Sequence, residues 1–184
     1  MSFLHRVQAV MALGSTGSRL FVKYFTGEDT PESSKALASL EKQRSLENAI
    51  FQAIHDPRRT NHVAYESEIL VVEGHVVLFH ISEDVTIIVM GAGSENEVVL
   101  SSVLTGLVDA LRQELNTPSL TARLLLENYC ALLMTVDEML DEGIILETDS
   151  VTIANDLEPY LADFSNDTAR AALTGVNKYL RDNL

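Results

Sequence analysis

Residues 67–97 read SEILVVEGHVVLFHISEDVTIIVMGAGSENE. Three runs rich in Val, Ile and Leu, at 67–73, 75–81 and 85–90, follow one another with connectors of a few residues. A parallel crossover needs a dozen or more, so the spacing predicts an antiparallel meander. Ser94-x-x-Glu97 has the pattern of a capping box, the serine accepting a backbone N–H and the glutamate reaching back. It predicts a helix start, and the helix that follows carries one apolar stripe: Leu100, Val103, Leu104, Leu107, Val108, Leu111 and Leu115.

Working outward, residues 7–13 and 20–25 are β-rich and flank Gly14-Ser15-Thr16-Gly17-Ser18, which predicts an opening hairpin. Leu37, Leu40, Leu46, Ala49, Ile50, Ala53 and Ile54 recur at helical spacing, with Glu41, Lys42, Arg44 and Glu47 on the other face and Pro57 as a stop. Residues 26–34 and 58–64 have loop composition. Downstream, Thr117-Pro118 offers a cap and a first-turn proline. The helix expected there has the stripe Leu125, Tyr129, Leu132, Leu133, Val136, Met139 and Leu140, with Gly143 as its terminator. A short helical piece around 153–161 precedes a terminal helix from about Asp167, with Ala172, Leu173, Val176 and Leu180 on one side. Hairpin, helix, meander and two helices make an α+β fold, a five-stranded antiparallel sheet packed with α-helices. The expected division is one domain over 1–154 and a C-terminal helical extension over 155–184.

The chain has 184 residues, 46% of them hydrophobic, and a net charge of −14. Residues 1–60 hold eight Lys/Arg against six Asp/Glu, and residues 61–184 hold five against 21. Such a surface repels phosphate backbones and anionic headgroups, which need clustered Lys and Arg. No nucleic acid and no direct membrane contact are expected, and a basic protein partner is favoured. The single cysteine, Cys130, lies inside a helical apolar pattern and fits a reducing cytoplasmic setting. No run approaches the roughly 20 apolar residues of a membrane span. Neither a signal peptide nor a lipidation motif is expected, residue 2 being Ser and the chain ending Arg-Asp-Asn-Leu.

Asp137, Glu138, Asp141 and Glu142 form the densest acidic cluster, Asp137 and Asp141 being expected on one helix face at i, i+4. No His or Cys stands at a ligand offset there, so the expectation is no metal and no catalytic acid pair. Acids at a helix C-terminus oppose the macrodipole, at about 0.3–1 kcal/mol each. A base from Arg123, Arg112, the Arg58-Arg59 loop or a partner is therefore expected against them. Gly91-x-Gly93 lacks the third glycine of a dinucleotide loop, position 96 being Asn, and follows a meander instead of a βαβ unit. His5, His55, His62, His75 and His80 show no paired ligand spacing, and His75 and His80 fall on opposite faces of a strand. The expectation is a non-enzyme without cofactor. Leu124, Leu126, Ile144, Ile145 and Leu146 supply apolar positions beyond the main stripe, which points to deep burial or a partner.

Residues 125–149, LLENYCALLMTVDEMLDEGIILETD, carry a more specific pattern. Leu125-Leu126-Glu127-Asn128, Val136-Asp137-Glu138, Asp141, Gly143-Ile144-Ile145-Leu146-Glu147 and Asp149, with Asn96-Glu97 upstream and Val151-x-Ile153-Ala154 downstream, resemble the coatomer zeta family of the clathrin-adaptor/longin small chains. The departures are Glu142, where the family often has glycine, a longer 58–65 loop, and residues 155–184, which match only as a terminal helix. The resemblance implies a longin-like fold and a structural subunit of the coatomer vesicle coat bound to the trunk of a gamma-type large subunit. It implies work in retrograde Golgi-to-ER and intra-Golgi transport, peripheral on Golgi membranes through the complex and an Arf-type GTPase, and no autonomous homo-oligomer. The partner-binding residues expected on that basis are Leu126, Glu127, Asn128, Asp137, Asp141, Ile144, Ile145 and Leu146. The rivals are a sigma-type clathrin-adaptor chain and a longin regulatory domain of a SNARE or tethering factor. The SNARE form is expected to carry a heptad helix and an anchor after Asp149, which this sequence does not show. The charge asymmetry predicts no saturable, salt-sensitive binding of the purified chain to anionic liposomes in a flotation assay; such binding would overturn the reading.

Overall fold

The computed structural model describes residues 5–26, 36–56 and 68–164. Strands β1 (Val7–Gly14) and β2 (Arg19–Tyr24) form the expected hairpin. A single 3-10 turn, Ala36–Ala38, leads into α1 (Leu40–Ile54). Strands β3 (Glu68–Val72), β4 (His75–Ser82) and β5 (Val85–Ala92) make the meander, and the five-stranded sheet has the order β2-β1-β5-β4-β3, antiparallel throughout. Helices α2 (Glu97–Glu114), α3 (Ala122–Glu127), α4 (Tyr129–Met139) and α5 (Ser150–Phe164) follow, with a small hairpin of β6 (Leu140–Asp141) and β7 (Ile144–Ile145) between the last two.

Period-two alternation splits the strand residues between two cores. Ala9, Met11, Leu13, Val77, Phe79, Ile88 and Met90 pack on one face with Leu46, Ile50 and Ile54 of α1. Val10, Ala12, Val76, Leu78, Val85, Ile87 and Val89 pack on the other with Leu100, Leu104 and Leu107 of α2, Leu125 of α3, Leu132 and Val136 of α4 and Ile153 and Leu157 of α5. Burying each of the larger of these side chains is worth about 1.5–3 kcal/mol. A register shift between Val7 and Ala9 interrupts the β1–β5 ladder, and Val7 consequently joins the second core, against the alternation of its own strand.

Three details differ from the sequence-based expectation. Asn96, not Ser94, caps α2, its Oδ1 accepting the Val98 N–H at 2.9 Å. Glu95 instead receives the Asn96 N–H, the Arg6 N–H and the His5 ring, tying the start of the chain to this corner. Thr117 closes a local turn on Ser119, and the helix cap is Thr121, whose hydroxyl accepts the Leu124 N–H. The intervening loop is caught by the β4–β5 turn: Ser82 accepts from Leu120 N–H and Asp84 from Ala122 N–H. The one long helix expected after it is two. Asn128 (φ −118°, ψ 40°) interrupts it, because its side-chain amide and its own N–H both donate to the Leu124 carbonyl, giving the backbone an alternative to the helical ladder.

The expected boundary at 154/155 falls inside α5, whose Ile153 and Leu157 both enter the core. The terminal helix from Asp167, the 58–65 loop and Pro57 lie outside the described residues.

On the α1 face a buried ionic group fastens helix to sheet. Glu47, 4% exposed, takes Arg19 Nη2 on Oε1 at 2.5 Å and Nε on Oε2 at 3.0 Å, while the Tyr24 hydroxyl donates to Oε1 at 3.0 Å. Burial first, then the Glu47 charge, pushes the Tyr24 phenol well above its ordinary range, keeping it a neutral donor. Glu47→Ala strands a guanidinium and a phenol, and a loss of about 3 kcal/mol in chemical denaturation is expected. A loss below about 1 kcal/mol would mean that solvent screens the group.

Candidate partner-binding surface

Helix α4 packs over the β2 side of the sheet, with Tyr129 edge-on to Phe21 at 5.9 Å between ring centres. Its C-terminal end is set by the hairpin that follows. Glu142 (φ 48°) and Gly143 (φ 80°) form a two-residue turn between Asp141 and Ile144, the pattern of a type I′ connection, which needs positive φ at both positions. A Cβ on residue 143 would lie 2.3 Å from the Val7 carbonyl oxygen, so glycine is required for closeness as well as conformation. The Val7 N–H donates to the Gly143 carbonyl at 2.8 Å and Arg6 bridges Ile144, adding the hairpin to the start of β1.

Gly143 is therefore a hairpin turn and not a helix terminator. The helix ends at Met139, and Leu140 is already extended. Asp141 and Glu142 leave the helix, so Asp137 and Asp141 do not share a helix face. At position 142 this chain holds a glutamate in the left-handed region, where a Cβ costs about 1–2 kcal/mol. Asp137 and Glu138 stay in the last turn of α4, and no base occupies that turn. The base expected against the acids is Lys23 of β2, whose Nζ lies 2.5 Å from Asp137 Oδ1 and 5.2 Å from the Phe25 ring centre. None of the sequence candidates fills that place. Arg123 pairs with Glu127 on its own helix and Arg112 turns to Asp109 and His80; Arg58 and Arg59 lie outside the described residues. Only folding brings the two edges together, so no local signal named Lys23.

The eight expected partner residues fall into two groups at opposite ends of α4, whose 11 residues span about 16 Å at 1.5 Å each. Leu126, Glu127 and Asn128 sit at its start: Leu126 is half-buried, Glu127 exposed and Asn128 occupied with Leu124. Asp137, Asp141, Ile144, Ile145 and Leu146 gather at its end. Ile145 packs inward on the core, Ile144 is half-buried, Asp137 and Asp141 are exposed, and Leu146 is 60% exposed although its N–H is tied to the Met139 carbonyl at 2.9 Å. Leu133 of α4, expected in the apolar stripe, is exposed instead, as is Val151 of α5, and neither was among the expected partner residues.

Glu147 and Asp149 build the start of α5. Glu147 Oε1 accepts the N–H groups of Thr148 and Asp149, and Asp149 accepts both the N–H and the hydroxyl of Thr152. Those Thr152 bonds hold the Asp149 carboxyl below its ordinary range. The Thr148 carbonyl lies where a Cβ on Gly106 of α2 would be, 2.3 Å from it. Among the described residues no group of three or more His, Cys, Asp or Glu is arranged to hold a metal ion, and no helix is long and apolar enough to cross a membrane. Gly91 lies within antiparallel β5 and Gly93 in its connection to α2, with Ala92 O accepting the Glu95 N–H.

A family model described as "Clathrin adaptor complex small chain" matches residues 6–161. The chain belongs to this family. Similar proteins include coatomer subunit zeta-1 of Homo sapiens, 38% identical over 146 residues (79% of this chain, 73% of the relative), and coatomer subunit zeta of Saccharomyces cerevisiae, 34% identical over 154 residues (83% and 77%). Coatomer subunit zeta-1 of Oryza sativa subsp. japonica is 32% identical over 182 residues, 97% and 96% of the two chains. The fold matches a chain in a homology model of the full-length AP-3 complex in a stretched open conformation, with TM-score 0.61 at 15% identity, over 86% of this chain and 95% of that one. The architecture is the longin-like one expected from the sequence.

The Lys23–Asp137 pair is exposed on both sides, 33% and 53%. A double-mutant cycle with Lys23→Met and Asp137→Asn is expected to give a coupling of about 0.2–1 kcal/mol in stability. A coupling above about 2 kcal/mol would require shielding that this surface lacks.

Proposed function

We propose that the chain is a structural subunit of the coatomer vesicle coat, equivalent to zeta, that binds the trunk of a gamma-type large subunit in retrograde Golgi-to-ER and intra-Golgi transport. The observation carrying this reading is the 32–38% identity to coatomer zeta subunits across most of the chain. The role is stoichiometric and non-enzymatic: a rigid two-core domain fills the concavity of a helical solenoid and stiffens the cargo-adaptor part of the coat. In this reading the chain is cytoplasmic and reaches Golgi membranes only through the complex and an Arf-type GTPase.

The binding surface we assign runs along α4, from Leu126, Glu127 and Asn128 to Asp137, Asp141, Ile144, Ile145 and Leu146. Leu146 and Leu133 supply exposed apolar area, and Asp141 with the unpaired flank of Asp137 supplies negative charge for a basic counterpart. An apolar centre rimmed by charge is the usual anatomy of a stable interface.

Co-expression with gamma-type and sigma-type partner trunks tests the assignment. Capture of this chain at one-to-one stoichiometry by the gamma-type trunk alone is expected, with Leu146→Asp lowering affinity about tenfold or more, equivalent to at least about 1.4 kcal/mol. Expressed alone, the chain is expected to self-associate through the uncovered surface. A monodisperse monomer with no affinity for the gamma-type trunk would overturn the proposal.

A further inference from the structure

Thr135 of α4 is fully buried, and its hydroxyl meets two acceptors, the Ala131 carbonyl at 2.7 Å and Glu114 Oε2 of α2 at 2.9 Å. A threonine hydroxyl has one hydrogen to give and lone pairs to receive. Both contacts are full hydrogen bonds only if one partner brings its own hydrogen, and a backbone carbonyl has none. We infer that Glu114 is a neutral carboxylic acid in the folded chain, donating to Thr135 Oγ1 while Thr135 donates to Ala131, and that α2 and α4 are thereby joined by a proton-dependent clasp.

Two further observations agree. Glu114 Oε1 is buried and has no hydrogen-bond partner. The carbonyl oxygen of a neutral acid tolerates that position far better than half of a carboxylate does. Glu114 is also the last residue of α2, the negative end of the helix, where a second negative charge is opposed. Burial accordingly pushes its pKa up to about 7.

The charged groups on the elements around the clasp are engaged elsewhere or turned to solvent. Asp109 and Arg112 of α2 pair with each other, and Arg112 also donates to His80 of β4. Arg123 of α3 pairs with Glu127, and Asp137 of α4 pairs with Lys23. Glu138, three residues on from Thr135, is half-buried, and Asp156 and Glu158 of α5 are exposed.

An acid with a higher pKa folded than unfolded binds more protons in the folded state between the two values. Stability therefore falls as pH rises from about 4.5 to about 7 and is flat above that window. Ionisation leaves one hydroxyl hydrogen for two acceptors and a buried charge without a partner, which loosens α4, with its hairpin, from α2. By linkage, any partner that favours the closed pair draws a proton onto Glu114.

The test is a carboxyl-carbon NMR titration of the full chain labelled at glutamate. The Glu114 signal is expected to inflect within about one unit of pH 7; an inflection in the ordinary range near pH 4.5 would overturn the proposal. Glu114→Gln keeps the shape and places an amide N–H where the acid proton was. The ratio of its unfolding constant to that of the wild type is expected to change about tenfold or more between pH 5 and pH 8, and a ratio independent of pH would overturn the proposal. Should that variant fail to fold, Thr135→Val takes its place: a Glu114 inflection shifted downward, the neutral acid having lost its acceptor, supports the clasp, and one unmoved or shifted upward, the mark of a carboxylate that had been receiving the Thr135 hydrogen, overturns it.

Discussion

Everything in this molecule follows from the burial of β1 and β5 on both faces. Every residue of β1 is buried, and β5 is buried up to its final alanine. A two-sided apolar strand pair cannot be left facing water on either side, so the chain must supply two helical layers. It supplies α1 on one face and α2 to α5 on the other. The two layers are unequal. The thin one, a single helix, is fastened by the Glu47–Arg19–Tyr24 group, and the thick one by apolar contact among four helices.

What the sequence disclosed is what depends on periodicity. Alternation in residues 68–92 and the stripe from Leu100 to Leu111 belong to long, regular elements in which every residue repeats the same message. What it concealed depends on single dihedrals and on distant pairing. Three oxygen-bearing side chains near residue 96 could have capped α2, and only the backbone conformation of Asn96 selects among them. Gly143 suits a helix end and a hairpin turn equally by composition; the carbonyl of Val7, far away in sequence, decides between them. Lys23 reaches Asp137 across 114 positions, a separation at which no local spacing rule operates. The acidic cluster itself was legible, but its assignment to one helix face was not.

The family signature changes meaning once its residues are seen in place. Asn128 divides two helices, Gly143 turns a hairpin, Glu147 and Asp149 collect the free N–H groups at the start of α5, and Val136 is core. In this chain these residues serve the architecture. The exposed side chains of the same stretch, such as Leu146 and Asp141, are the plainer ones, whose identity carries little sequence signal. A strong motif and an exposed surface are here adjacent in the chain and different in substance.

The ladder between β1 and β5 sets Val10 opposite Val89, so the central pair of the sheet cannot close until roughly half the polypeptide has been made. During synthesis β1 emerges apolar on both faces with its neighbour β5 still inside the ribosome. Pairings this distant are slow to form and expose sticky surface meanwhile. The nascent N-terminal third is therefore a natural client for chaperones, and a cell that overproduces the chain meets its solubility problem before the last helices exist.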